Sequence, residues 1–218
     1  MPTLIKCNSL NQLDAERLLM RTVVPRAVVW VTTVGEEVPR CPTLAPFSAV
    51  VPICNSPPLV VLAVQRRADG TRKKTAANIL ATREFVLNII DDNLIEAAVE
   101  AADPNVSVEQ RFTRAGVHPA KSAIVKPPRV SECEVSLECR LNRYEEVGRE
   151  PGRADIFIGE ILCVWLNENN KERQSPDSQA GTFSGVGALS LEWYLTPSGL
   201  RRVPQPYAEL DQTPPRVS

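Results

Sequence analysis

The sequence predicts a mostly β domain with flanking helices, and three observations carry that reading. Nineteen prolines make up about 9% of the 218 residues, against a usual level of roughly 5%, and proline breaks helices while tolerating short strands, edges and loops. Stretches 26–34, 59–64, 84–90, 133–141 and 156–166 are either continuous apolar runs or alternate with period two, as buried and half-buried strands do. The segments of helical periodicity, at 9–22, 75–82, 94–102 and 106–115, are few and short. A chain of this length supports one good core. It is expected to form a single domain over 1–200, with a proline-rich tail over 201–218 that is flexible or wrapped on a partner subunit.

Composition excludes several classes of function. The apolar fraction is 43%, the charged fraction 23% and the formal net charge −1, which argues against partners that reward a broad basic face, namely nucleic acid and membrane surfaces. No apolar run approaches the roughly 20 residues of a membrane-spanning helix. Lys6, Asp14, Glu16 and Arg17 stand where a signal peptide needs an apolar centre. A cytoplasmic protein is expected. Cys7, Cys41, Cys54, Cys133, Cys139 and Cys163 contain no two-residue spacing of a zinc or redox motif, so they read as reduced, mostly buried thiols. His118 is the single histidine; it reads as a solvated loop residue beside Pro119, and with no G-x-S-x-G motif in the chain no catalytic triad or metal centre is expected.

The elements follow in order. Leu10, Leu13, Leu18 and Leu19 fall near helical spacing over 9–22, and Pro25 ends that helix. Stretch 26–34 (RAVVWVTTV) is a strand entering a turn at Gly35, Glu36 and Glu37, with its return partner expected in 38–51. The return is crowded with Pro39, Pro42, Pro46 and, just beyond, Pro52, Pro57 and Pro58. Much of it must therefore be edge strand, bulge or loop, with backbone groups left for a flat heteroaromatic ligand or for water.

The stretch 60–88 organises the rest. An apolar strand ends at Gln65, and a loop then gathers Arg66, Arg67, Arg72, Lys73 and Lys74 around Asp69, with Thr71 and Thr75 interleaved, just before a helix with Ala76, Ala77, Ile79 and Leu80 on its apolar face. Free N–H groups at a helix start, hydroxyls and fixed positive charge together suit a phosphate. A strand over 84–90 follows, and then Asn93 as N-cap with Glu96 three residues on for a helix over 94–102, closed by Pro104. A short helical segment at 106–115 carries Phe112 and ends at Gly116. The alternation after it places Cys133, Val135, Leu137, Cys139 and Leu141 inward, and Glu132, Glu134, Ser136, Glu138 and Arg140 outward. The six-residue spacing of Cys133 and Cys139 along one strand, about 20 Å, excludes a disulfide between them. A charged hairpin over 142–154 and a strand over 156–166 come next, then a polar loop or mobile flap over 167–187 and a segment at 189–195 that packs back through Trp193 and Tyr194.

Several words of the sequence match a known family in order. Thr43-Leu44-Ala45-Pro46-Phe47-Ser48 resembles an N-L-A-P-Y-S segment, Pro57-Pro58-Leu59-Val60 a P-P-L-V strand, and Lys74-Thr75-Ala76-Ala77-Asn78-Ile79 a K-D-T-x-x-N-I helix start. Glu84-Phe85-Val86-Leu87-Asn88 is similar to E-F-V-V-N, Arg111-Phe112-Thr113-Arg114-Ala115-Gly116 to E-F-x-x-A-G, and Ile158-Gly159-Glu160-Ile161 to I-G-E-V. These are words of the flavin-reductase-like family. The resemblance implies a six-stranded Greek-key FMN-binding split barrel with flanking helices, a homodimer with FMN near its interface, and NAD(P)H-dependent flavin reduction, often beside a monooxygenase partner. It places Thr43, Leu44, Ala45, Pro46, Phe47 and Ser48 along the isoalloxazine. Lys74 and Thr75, with Thr71 and one of Arg66 or Arg67, fall to the FMN phosphate, while Arg72 and Lys73 read as solvated charges.

The expected function is an FMN-binding oxidoreductase that passes electrons from NAD(P)H to flavin or another acceptor, with no essential side-chain acid or base. The alternative is a non-catalytic FMN-binding module or electron carrier. A polyanion-binding barrel fits less well, because the basic loop lacks the interleaved aromatics that base stacking needs.

Overall fold

The computed structural model describes residues 4–37, 40–150, 152–167, 185–190 and 192–204. Helix α1 (Gln12–Thr22) starts at Asn11, whose side chain accepts the Asp14 N–H at 2.9 Å. Strands β1 (Arg26–Ala27) and β2 (Val29–Val34) split the run predicted as one strand. The break is at Val28, whose N–H donates to the Val186 carbonyl and whose own carbonyl accepts from Ile90. β3 (Pro42–Phe47), β4 (Val50–Asn55) and β5 (Pro58–Gln65) precede α2 (Lys74–Thr82), β6 (Glu84–Ile89), α3 (Ile95–Ala101) and α4 (Arg111–Ala115). Two-residue strands β7 (Pro119–Ala120) and β8 (Arg129–Val130) lead into the long hairpin of β9 (Val135–Val147) and β10 (Ala154–Leu166). β11 (Gly187–Ala188), β12 (Trp193–Thr196) and β13 (Gly199–Arg202) form a small sheet with β1.

The main sheet is antiparallel in the order β3-β2-β6-β9-β10-β5-β4. It has seven strands where six were expected, because the return partner of β2 does not run through. β3 leaves β2 at Phe47, and after Ser48 and Ala49 the chain re-enters as β4 against β5. Strands adjacent in sequence are thus the two edges of the sheet, which rolls into a barrel split at this corner. The prolines of β3 fit by alternation. All six residues of β3 are in register with β2, and the Leu44 N–H donates away from it, to the Val108 carbonyl, so by alternation Pro42 and Pro46 fall at positions whose N–H would point off the edge, where none is needed.

β3 also divides two apolar cores. Leu44 packs with Trp30, Ile95, Val99, Phe112 and Tyr194 under α3 and α4. Phe47 lies against the barrel interior of Val31, Leu62, Phe85 and Phe157, which Ala76 and Ile79 of α2 close. Gly159 explains itself here. A Cβ on it would lie 2.9 Å from Phe85 Cε1 and 3.4 Å from Cys139 Cβ, and both neighbours are fully buried. Gly159→Ala is expected to cost about 1–3 kcal/mol by overpacking. That should appear as a fall in Tm of roughly 2–4 °C per kcal/mol, and an unchanged melt would contradict the packing described.

Some expectations are corrected. Asn93 does not cap the 94–102 helix: it lies inside a 3-10 turn over Asp92–Leu94 that leads into α3 and is capped by Asp91, which accepts the Asn93 N–H at 2.9 Å. Ser136 and Glu138 do not face solvent: they are 2% and 0% exposed. Segment 122–128 folds over their side of β9, and its backbone donors need an acceptor. Glu138 takes the N–H groups of Ala123, Ile124 and Val125 at 2.7, 2.7 and 3.0 Å, and Trp165 Nε1 at 2.5 Å. All six cysteines are free, but Cys7, Cys41 and Cys54 are exposed, so the thiols are not mostly buried. His118 is exposed and its Nδ1 lies 2.7 Å from Glu132. At the far end, Arg201 and Arg202 belong to β13 and Val203 is buried in the core, three residues that had been assigned to the tail. Most of the polar stretch 167–187, and the tail from 205 on, lie outside the described residues.

Candidate functional site

A cavity of roughly 650 Å3 opens where the free edge of β3 meets the start of α2 and the segment leading into α4, within the size range of small-molecule sites. Its floor is Ala45, Pro46 and Phe47; Arg67, Lys73, Lys74 and Thr75 form one wall; Ala102, Pro104, Val106, Ser107, Val108, Glu109 and Arg111 form the other. The Leu44 N–H donates to the Val108 carbonyl at 3.1 Å, tying the second wall to the strand. That bond uses the one outward N–H among Pro42, Leu44 and Pro46. What the edge still presents is carbonyl oxygen, an acceptor row suited to the N–H of a flat heterocycle.

The wall at α2 has the opposite polarity. Lys73 is its N-cap and makes no side-chain cap, so the first-turn N–H groups and the positive end of the helix dipole address the cavity. Thr75 is buried at this turn. Lys74 Nζ lies 3.9 Å from Glu37, a loose and solvent-facing pair. Lys73 leans the other way, its Nζ 5.9 Å from the centroid of the Phe47 ring. Its surface is open to the cavity, yet desolvation by the surrounding walls pulls its pKa below the usual lysine range, with Glu16 opposing and Arg67 and Arg111 adding to the fall. Desolvation likewise lowers the pKa of Arg111, against Asp103 and Glu109. Arg111 Nε is buried with no hydrogen-bond partner among the described residues.

Of the eleven residues expected at the site, the cavity brings together Ala45, Pro46, Phe47, Arg67, Lys74 and Thr75. The side chains of the other five are turned to other work. The Thr43 hydroxyl is buried 2.6 Å from that of Thr33, which also accepts from Asn78 Nδ2 at 2.9 Å; this network pins α2 to the β2–β3 hairpin and gives Asn78 its role. Leu44 belongs to the core under α3 and α4. Ser48 accepts from Arg26 Nε at 3.3 Å and lines a smaller cavity of roughly 250 Å3 that shares Pro46, Phe47 and Ala102 with the first. Thr71 folds back on Asp69, to which its N–H and Oγ1 donate at 2.9 and 2.6 Å. Arg66 forks onto Asp155 at 2.9 and 3.3 Å and reaches Glu146 at 2.9 Å.

Arg72, expected to be solvated, joins the same network through Asp155, Tyr144 and Glu146. Burial acts to raise the pKa of Asp155, but the bonds from Arg66, Tyr144 and Arg72 outweigh it and hold the carboxyl below its ordinary range. The five loop cations are therefore sorted: Arg66 and Arg72 anchor the loop to the barrel, and Arg67, Lys73 and Lys74 face the cavity. Lys73, expected to be a solvated charge, lines the cavity, as does Arg111, which was not among the expected site residues. The available signal for Arg111 was a cation standing where the resembling pattern has glutamate.

The cavity thus pairs a cationic wall with an acceptor edge, a donor set that suits a phosphorylated heterocycle. Comparison with known proteins points the same way. Residues 20–185 match the family model for the flavin reductase like domain. The chain is 33% identical over 167 residues to YwrF of Bacillus subtilis (strain 168), covering 76% of this chain and 80% of that one. It is 28% identical over 166 residues to the reductase component of 4-nitrophenol 4-monooxygenase/4-nitrocatechol 2-monooxygenase of Rhodococcus opacus, covering 76% and 80%. The crystal structure of nitrilotriacetate monooxygenase component B from Bacillus cereus superposes with a TM-score of 0.80 at 26% identity, over 90% of this chain and 96% of that one. Because the family match runs through every strand of the main sheet and both walls of the cavity, the chain belongs to the flavin reductase-like family of flavoprotein oxidoreductases.

Proposed function

We propose that the protein is an FMN-binding reductase that draws hydride from NAD(P)H and delivers electrons to free flavin or another acceptor, as the reductase component of a two-component monooxygenase. The observation that carries this reading is the meeting of the uncapped start of α2 with the carbonyl edge of β3 in one cavity. Lys74, Thr75 and the first-turn N–H groups would hold the phosphate, with Arg67 adding to the local field. The Leu44 and Pro46 carbonyls would accept from the ring edge, and Phe47, Ala102 and Val106 would keep water from its face. Hydride acceptance and onward electron transfer are the chemistry that a flavin supplies when bound. No side chain of the cavity is needed to move a proton; the chain binds, orients and excludes solvent.

The smaller cavity beside Phe47 offers room for the nicotinamide ring. A homodimer is supported by apolar side chains left open on the sheet, Val51 and Ile53 on the edge strand β4 and Val164 and Leu166 on β10, each about half exposed. Six free thiols suit a cytoplasmic setting. The likeness to a monooxygenase reductase component supports the partner.

The test is the visible absorption spectrum of the purified protein with FMN, before and after anaerobic addition of NADH or NADPH. Bleaching of bound flavin by one of them is expected. A protein that neither binds FMN nor consumes either nucleotide would overturn the proposal, and bound FMN that stays oxidised would select the electron-carrier reading.

A further inference from the structure

Helix α1 buries none of its side chains, although it runs past both cavities. Gln12, Glu16 and Met20 are spaced by four and share one face of the helix. Each shows where that face points. Gln12 packs beside Gly152 in the turn between β9 and β10. Glu16 is close enough to Lys73, on the wall of the larger cavity, to oppose the desolvation that lowers the lysine's pKa. Met20 lines the smaller cavity with Phe47 and Ser48. The face is therefore turned toward the barrel, where an amphipathic helix turns the side it buries.

What it turns there is apolar and uncovered. Leu13, Leu19 and Val23 stand three and seven residues from members of that trio and fall in the same arc, yet they are 63%, 53% and 62% exposed. The two ends of the helix are held unequally. Arg26, set in the small sheet by its pairing with Ala188, donates through Nη1 to the Met20 and Val23 carbonyls at 2.6 and 3.1 Å, and through Nε to Ser48 Oγ at 3.3 Å. The other end rests Gln12 beside a glycine, which offers it no side chain. Segments with few buried contacts are the ones that open locally, and the lids of binding sites are drawn from them. We propose that α1 is a hinged cover, pivoting at Arg26, whose arc of Leu13, Leu19, Met20 and Val23 closes over a flat heterocycle seated in the cavities. Arg26 and Ser48 both line the smaller cavity, so a ring placed there touches the pivot itself. The arc then gains the apolar surface it lacks, and water leaves the exposed face of the ring. The cover rests on the flavin reading only for the identity of what lies beneath it.

The test is backbone amide hydrogen exchange of the full chain, alone and with FMN, NAD+ or both, at low and at high protein concentration. With ligand, the amides of 16–22 should exchange at least about tenfold more slowly, while those of β6 keep their rates. Leu19→Asp puts a charge into the arc at a position outside both cores. It should keep the melting temperature, abolish the slowing and speed FMN release by about tenfold. Exchange that is slow without ligand and slows further with protein concentration alone would overturn the cover and assign the arc to a second copy of the chain. Unchanged exchange on saturation with FMN and NAD+ would overturn it too, as would a Leu19→Asp protein that still shows the full slowing. Flavin absorbance reads FMN binding separately. If FMN did not bind but NAD+ slowed α1, the cover would stand and the flavin reading would fall; if neither slowed it, the cover would fall.

Discussion

Lys74→Glu is expected to lower affinity for FMN by about a hundredfold or more, while affinity for riboflavin changes by less than about threefold. The substitution removes a charge-assisted donor worth about 1.5–3 kcal/mol and puts a carboxylate beside the phosphate; each 1.4 kcal/mol is a factor of ten. The fold should be unharmed. Lys74 is the first residue of α2, it is partly exposed, and its ion pair with Glu37 is long. An acid in a first helical turn is favourable to the helix dipole, so the expected loss comes from the ligand and not from the helix. Quenching of flavin fluorescence on titration measures both ligands. Equal weakening of riboflavin would mean that Lys74 acts through the shape of the cavity, and undiminished FMN binding would remove it from the phosphate site.

Glu138→Ala should have the largest effect on stability, about 4 kcal/mol. It would strip the acceptor from three consecutive backbone N–H groups and an indole N–H in a place without solvent, and an unsatisfied buried donor costs about 1–3 kcal/mol. A fall in Tm of roughly 8–16 °C would follow for a domain of this size. A fall of only a degree or two would show that segment 122–128 can find other partners.

The consequence reaches the cavity. Pro128 in the adjoining turn accepts from Thr32 on β2 at 2.5 Å, and β2 carries β3. Burial acts to raise the Glu138 pKa, but the donors from Ala123, Trp165, Ile124 and Val125 prevail and lower it. A carboxylate depressed in the folded state contributes stability above its unfolded pKa, near 4.3, and loses it as pH falls through the folded value. The wild type should therefore lose stability steeply in acid below about pH 4, and Glu138→Gln should flatten that part of the profile.

Local chemistry made much of the molecule legible. Apolar runs located β2, β5 and β6, period-two alternation located β9, and Gly116 sits in the left-handed conformation that ends α4. A basic loop before an apolar helix face marked the start of α2 as a concentration of positive charge, and the match of ordered words pointed to the barrel. Such features depend on neighbours within a few residues, so a sequence displays them directly.

Other features depend on groups far apart in the chain. Nothing near Arg66 and Arg72 shows that Asp155 and Tyr144 will hold them; a cation's function there is decided by whether a buried acid from β10 reaches it first. Thr43 was assigned to the ligand because its word matched, but Thr33 across the hairpin takes its hydroxyl. Glu138 looked like an outward residue on an alternating strand until the proline-rich segment 122–128, unable to form a ladder, covered it. Arg111 joins the cavity only because α4 packs beside β3. The sequence by itself determined most of the strands, the start of α2 and the positive charge of its loop, because these follow from periodicity and local polarity. Only the tertiary structure decided which of those charges remain free for a ligand, because buried charges and donors must find partners, and the partners come from distant strands.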